Sequence, residues 1–247
     1  IDGTGTSGAL SVKTGASDAL RSGTIDISTG SSSSFQGGAI HIGAGTSTSG
    51  VTGNVVLGAG ESSDETGGSF QVSSGHGMPS GSVEVGSASV TEQGSSGSVA
   101  LTSGRVASAA SGMVYVSTGD AQERAASLKI SGGVSGEGST TASADIRVTA
   151  GTVKQGVSAG GSVAIQSGAS PTTGSGNVHI QTASADTKGD SGSITVSSGV
   201  SKSGSTGAIH VGTGASGVEA GNVVVAGGAS ADGSSSVAIS AGEAQGA

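Results

Sequence analysis

The chain contains no cysteine, so neither a disulfide framework nor a thiolate metal site can hold it together, and its redox compartment is not written in its thiols. Aromatic residues make up 1 % of it and charged residues 11 %, far below ordinary globular usage. With two prolines and no glycine at every third position, collagen is excluded. No run of 18 or more apolar residues is present, which excludes a membrane-spanning helix. Cationic residues are scarce as well: nine Lys and Arg stand against 17 Asp and Glu, for a net charge of -8 and a pI near 4.8. Nucleic acid would need clustered Lys and Arg for its phosphates, so it is excluded as a partner. The charges are scattered, which fits a soluble, self-repelling surface.

Glycine is abundant, 50 residues of 247, and it punctuates a unit that recurs about every 15 residues. Gly192 to Gly199 reads GSITVSSG, in which Ile194 and Val196 alternate with Ser193, Thr195 and Ser197, the period-2 signature of a strand with one buried face. The first apolar position recurs as Leu10, Ile25, Ile40, Val55, Phe70, Val83, Val99, Val114, Leu128, Ile146, Val163, Val178, Ile194, Ile209, Val223 and Val237, which makes 16 repeats. The second lies two residues on, from Val12 and Ile27 to Val225 and Ile239. All 32 positions are apolar and 27 are Val or Ile, whose branched Cβ suits a pleated surface. Low-complexity disorder accounts for the Gly and Ser but not for Val and Ile held in register.

Two residues before the first apolar position stands Gly in 13 of 16 repeats, and five residues after it in 14 of 16. Such placement predicts corners that need a positive φ or the close approach of a neighbouring segment. The residue before the second Gly is always small, as at Thr29, Ala44, Ser103 and Thr213, and is expected to point inward. Two residues past that Gly comes a serine column: Ser17, Ser32, Ser47, Ser62, Ser135, Ser170, Ser201, Ser216 and Ser230, which suggests a narrow return path. Repeat spacing varies from 13 residues (Phe70 to Val83) to 18 (Leu128 to Ile146) while the apolar core keeps its length, so insertions fall in loops, where Pro79 and Pro171 also lie. No segment reads as a helix.

A longer period overlies the short one. GSVEVGSASVTEQGSSGSVALTSG from Gly81 aligns without gaps on GNVHIQTASADTKGDSGSITVSSG from Gly176, and GGVSGEGS from Gly132 on GGASADGS from Gly227. The only second-Gly exceptions, Ala88 and Ala183, are six repeats apart. One array over 1–247 is therefore expected, grown by duplication of a six-repeat block over 8–96, 97–191 and, in part, 192–247.

A 15-residue unit with one short strand cannot bury its own apolar face and must stack on its neighbours. The expectation is an all-β fold: a parallel β-solenoid of 16 repeats without helices, with coils of 15 or of 30 residues and both apolar columns inward.

Chemistry-bearing residues are sparse. His41, His179 and His210 hold the outward middle position of their strands and His76 sits in a Gly-flanked loop; a metal site would need two or three of them clustered with an acid, so solvated surface histidines are expected. No Ser, His and acid converge on an evident pocket. No GxxxxGK[ST] follows a strand, so no phosphate loop is present. Asp18, Asp64, Asp120, Asp186 and Asp232 fall irregularly, unlike the fixed Asp of calcium β-rolls. The outward column Ser11, Asp26, His41, Val56, Gln71, Glu84, Ala100, Tyr115, Lys129, Arg147 is mixed, where an ice-binding face would want rows of Thr. Asn54, Asn177 and Asn222 are not in glycosylation signals. No catalytic, cofactor-binding or metal residue is assigned, and no enzyme is expected.

Units such as GTIDISTG from Gly23 and GAIHVGTG from Gly207, with Ala88 and Ala183 as exceptions, make the whole chain resemble the Gly/Ser/Thr/Ala-rich β-solenoid repeat proteins of microalgae and related protists, in which GxVxIxSG-type units recur in blocks. The resemblance implies an extracellular, cell-surface structural role and brings no catalytic or ligand residues. The start at Ile1, with neither Met nor a charged-then-apolar leader, suggests a cleaved signal peptide or a fragment. The functional expectation is a secreted structural rod or spacer that assembles end to end into filaments, the coil of Val237 pairing with that of Leu10 in the next copy. The alternative is a solenoid that binds ice, mineral or polysaccharide, with cell-wall polysaccharide or mineral as further partners.

Overall fold

The computed structural model describes residues 7–18, 20–91, 94–136, 143–155, 158–185 and 189–242. It contains neither helix nor β-strand among them. The expected β-solenoid is therefore wrong, and the 15- and 30-residue coil sizes fall with it. A ladder needs backbone N–H and C=O groups of neighbouring segments to pair along their length. Among the described residues, the backbone bonds are four: Gly68 to Gly60, Gly81 to Gly75, Gly161 to Gly151 and Gly176 to Gly168, each an amide donating to a carbonyl at 2.9–3.1 Å. Every one of them joins the second Gly of one repeat to the first Gly of the next. The alternation of Val and Ile with polar residues thus marks a locally extended segment and not a paired strand.

The apolar columns are not inward either. No described residue is buried. Leu10 and Phe70 apart, the first column is about half exposed, as at Val55 (50 %), Val178 (50 %) and Ile209 (51 %), and the second more so, as at Ile27 (74 %), Val196 (74 %) and Val211 (78 %). The repeat therefore survives as a repeated local conformation with its apolar pair unpartnered. The chain keeps 24953 Å² accessible, where a folded protein of this mass would keep about 9500 Å² and an unfolded one about 33000 Å².

The least exposed residues are small. Thr118, Ala150, Ser167, Ser170, Thr182 and Ser201 are half-buried, and all six belong to the two small columns, the residue before the second Gly or the serine two residues past it. The chain divides into two units, Ile1–Leu128 and Lys129–Ala247, with the boundary inside the ninth repeat. Each is a succession of extended segments joined by spacers whose two ends meet.

Candidate functional site

The structural feature common to the repeats is the closure of each spacer, and it is built from a glycine against a small side chain. A Cβ placed on the first Gly of a repeat would meet the small residue before the second Gly of the previous repeat, or that Gly itself. In the first unit this holds at Gly23 against Thr14, Gly38 against Thr29, Gly53 against Ala44, Gly68 against Ala59 and Gly60, Gly81 against Ser74, Gly97 against Ser87 and Gly112 against Ser103. In the second it holds at Gly161 against Ala150 and Gly151, Gly176 against Ser167, Gly192 against Thr182, Gly207 against Ser198 and Gly221 against Thr213. The tightest are Gly38, with Thr29 Cβ at 2.9 Å, and Gly161, with the Gly151 amide nitrogen at 3.0 Å. At Gly38 the approach is closer than real Cβ atoms make, so a side chain there would force Thr29 to shift, and at Gly161 the fit is tight.

Three repeats lack the first Gly, carrying Ala126, Ala144 and Ser235 in its place. For two of them the glycine has moved to the other side of the closure. Gly132 faces Ala144, whose carbonyl oxygen would be 2.9 Å from an added Cβ, and Gly227 faces Ser235, whose Cβ would be 2.9 Å away. At these two closures the missing side chain lies on the opposite partner from the rest. The spacer from Thr118 to Ala126 carries a Cβ at both ends, and Thr118 is among the half-buried residues.

The second Gly behaves differently. At Gly15, Gly30, Gly45, Gly60, Gly75, Gly104, Gly119, Gly133, Gly151, Gly168, Gly199, Gly214, Gly228 and Gly242 an added Cβ would meet nothing within 4 Å, and none has a positive φ. The corners expected to need positive φ are thereby corrected. Among the described residues positive φ occurs at Gly94 (152°) and Gly189 (124°), inside the spacers. Those two residues are equivalent in the alignment of the Gly81 and Gly176 stretches.

Serine supplies the turn inside the loop. The Oγ of Ser17, Ser32, Ser47, Ser62, Ser170 and Ser201 accepts from the amide three residues on, at Leu20, Phe35, Gly50, Glu65, Thr173 and Gly204, over 2.9–3.1 Å. Ser216 Oγ accepts from Val218, two residues on. This is a side-chain cap on a bend, and it replaces the narrow inward path expected of the serine column. Further hydroxyl bonds tie loop ends: Thr29 Oγ1 donates to the Gly38 carbonyl (3.0 Å), Ser143 Oγ to Gly133 (2.9 Å) and Ser235 Oγ to Gly228 (2.6 Å).

His41, His76, His179 and His210 are exposed, and no group of three or more His, Cys, Asp or Glu stands at metal-binding geometry among the described residues. Asp18, Asp64, Asp120 and Asp232 are exposed, and Asp186 lies outside the described residues. A shallow open depression runs beside Glu84, Val85, Gly86, Ser87 and Ala88 and has no histidine in its lining. No helix of the described residues is long and apolar enough to cross a membrane. Leu10 and Ile239 are more than nine-tenths exposed, and among the described residues there is no ladder for an end-to-end strand junction to continue. Sequence reasoning missed the pairing of the first Gly with the small residue of the preceding repeat; the reciprocal exchange at Gly132 and Ala144 was the available signal. No protein-family model, no curated protein and no solved structure matches the chain.

Proposed function

We propose that the protein is an extracellular structural component that self-associates into filaments through its apolar columns. One observation carries the reading: two Val, Ile or Leu side chains in almost every repeat, or Phe70 with Val72 in one, stay about half to three-quarters exposed, and the pair recurs about every 15 residues. Single exposed apolar residues are ordinary, but an array of them on one chain is a surface that seeks cover. A second copy offers the same residues at the same period, so one contact, once made, can be repeated along both chains. Burying one such side chain contributes about 1.5–3 kcal/mol, and many weak contacts in register add through effective concentration. The mixed outward column from Ser11 to Arg147 holds no row of like residues that would favour an ice, mineral or polysaccharide surface instead. Among the described residues no group of three or more His, Cys, Asp or Glu stands at metal-binding geometry, and a structural role is the one the exposed apolar columns support.

The test is sedimentation velocity over a concentration series, with electron microscopy of the heaviest fraction. Filaments that appear above a threshold concentration support the reading. A chain that remains monomeric at millimolar concentration, or that binds polysaccharide or mineral while monomeric, overturns it.

A further inference from the structure

Each closed spacer stores chain. Gly60 and Gly68 are eight residues apart, yet their backbones meet at 2.9 Å, and eight residues drawn straight span roughly 26–29 Å. Gly168 and Gly176 repeat the arrangement over the same eight residues at 2.9 Å, and Gly75 and Gly81 close six residues at 3.1 Å. Between the loops the chain is already extended and unpaired, so pulling on its ends can lengthen it only by opening the closures. Four of those closures hold by one backbone bond and three by one hydroxyl bond, as at Thr29 and Gly38, with a glycine seated against a small side chain and no fully buried residue. Nothing links the opening of one loop to the next, as each closure involves only consecutive repeats.

We propose that the protein is an extensible element, in which the spacers act as reversible stores of length that open one by one under tension and reclose when it is released. The glycine at the first position lets the ends seat closely: at Gly68 an added Cβ would stand 3.1 Å from the Gly60 amide nitrogen and 3.3 Å from Ala59 Cβ, and the larger side chain of a valine at the first position should hold the ends apart. The varied spacers set unequal stores along the chain, six residues at Gly75–Gly81 and eight at Gly60–Gly68. This property belongs to the single chain and does not depend on filament assembly.

The experiment is force extension of the full single chain in magnetic tweezers. The absence of cysteine lets one thiol added at each end serve as the sole attachment. Expected is a reversible low-force lengthening in excess of a flexible chain's curve. In Gly68→Val and Gly176→Val the tether should start longer, and each should remove roughly 20–25 Å of that lengthening, the extended reach less the closed separation. Gly60→Ala and Gly168→Ala, whose added Cβ meets nothing, should keep it. A wild-type curve equal to that of a uniform flexible chain of 247 residues, or first-Gly variants whose lengthening is unchanged, would overturn the proposal. Loss of filaments with this behaviour intact would bear on the self-association alone.

Discussion

Replacing Gly38 with alanine should open the loop between Thr29 and Gly38 and leave the rest of the chain as it is. The added Cβ would stand 2.9 Å from Thr29 Cβ, 3.2 Å from its Cγ2 and 3.5 Å from its Oγ1, well inside the roughly 3.5–4.0 Å at which carbon atoms rest. Overpacking of this kind costs about 1–3 kcal/mol. The closure has little reserve to absorb it: ordering the nine-residue separation costs roughly 2 kcal/mol by the logarithmic law, and the Thr29 hydroxyl bond to Gly38 returns about 1 kcal/mol. At about 1.4 kcal/mol per tenfold, the ratio of closed to open loop should fall roughly 5- to 100-fold. Dyes on Asp26→Cys and His41→Cys, both exposed positions outside the loop, report it by energy transfer. Transfer should drop in Gly38→Ala and recover in part when Thr29→Gly is added, the exchange the chain itself makes at Gly132 with Ala144. Equal transfer in wild type and Gly38→Ala, or a double variant no more closed than the single, would refute the reasoning.

Gly30→Ala should change nothing measurable in the same transfer assay, because an added Cβ there meets nothing within 4 Å and the chain already carries Ala88 and Ala183 in that column; a loss as large as that of Gly38→Ala would show a constraint at the second Gly. Ser32→Ala removes the acceptor of the Phe35 amide and should weaken the bend by about 1 kcal/mol, read as faster exchange of that amide while Glu65, capped by Ser62, is unchanged. Val196→Asp, at a side chain 74 % exposed, should leave the monomer's circular dichroism as it was, within about 0.5 kcal/mol, and raise the concentration needed for assembly. A cooperative loss of monomer structure would place that column in a core.

The repeat, its length and its variable spacers were legible because periodicity is a property of the residues alone. The pairing of segments was not. Alternation at Ile194 and Val196 says that the backbone is extended there, and an extended segment becomes a strand only if another lies alongside, which depends on where the spacer sends the chain. The spacers return to their own starting points at Gly60 and Gly68 or Gly168 and Gly176, so consecutive repeats meet at glycines and not along their apolar cores. The same reason explains the glycines: two columns look alike in sequence, yet the first lies against the preceding repeat, most closely at Gly38, and the second stands in open space. Serine was read by its size, whereas its hydroxyl oxygen is what the bend uses.

Per-residue amide exchange on the dilute monomer tests most directly whether the repeats are extended segments closed by loops. The amides of Ile194, Thr195 and Val196, which have no partner among the described residues, should exchange at the rate of an unstructured chain. Those of Gly68, Gly81, Gly161 and Gly176, the closure donors, should be slower by roughly 5-fold for about 1 kcal/mol of hydrogen bonding. Strong protection running through Ile194 to Val196 and its counterparts in other repeats, with the glycine amides no slower than their surroundings, would mean that a strand ladder holds the chain and would contradict the account.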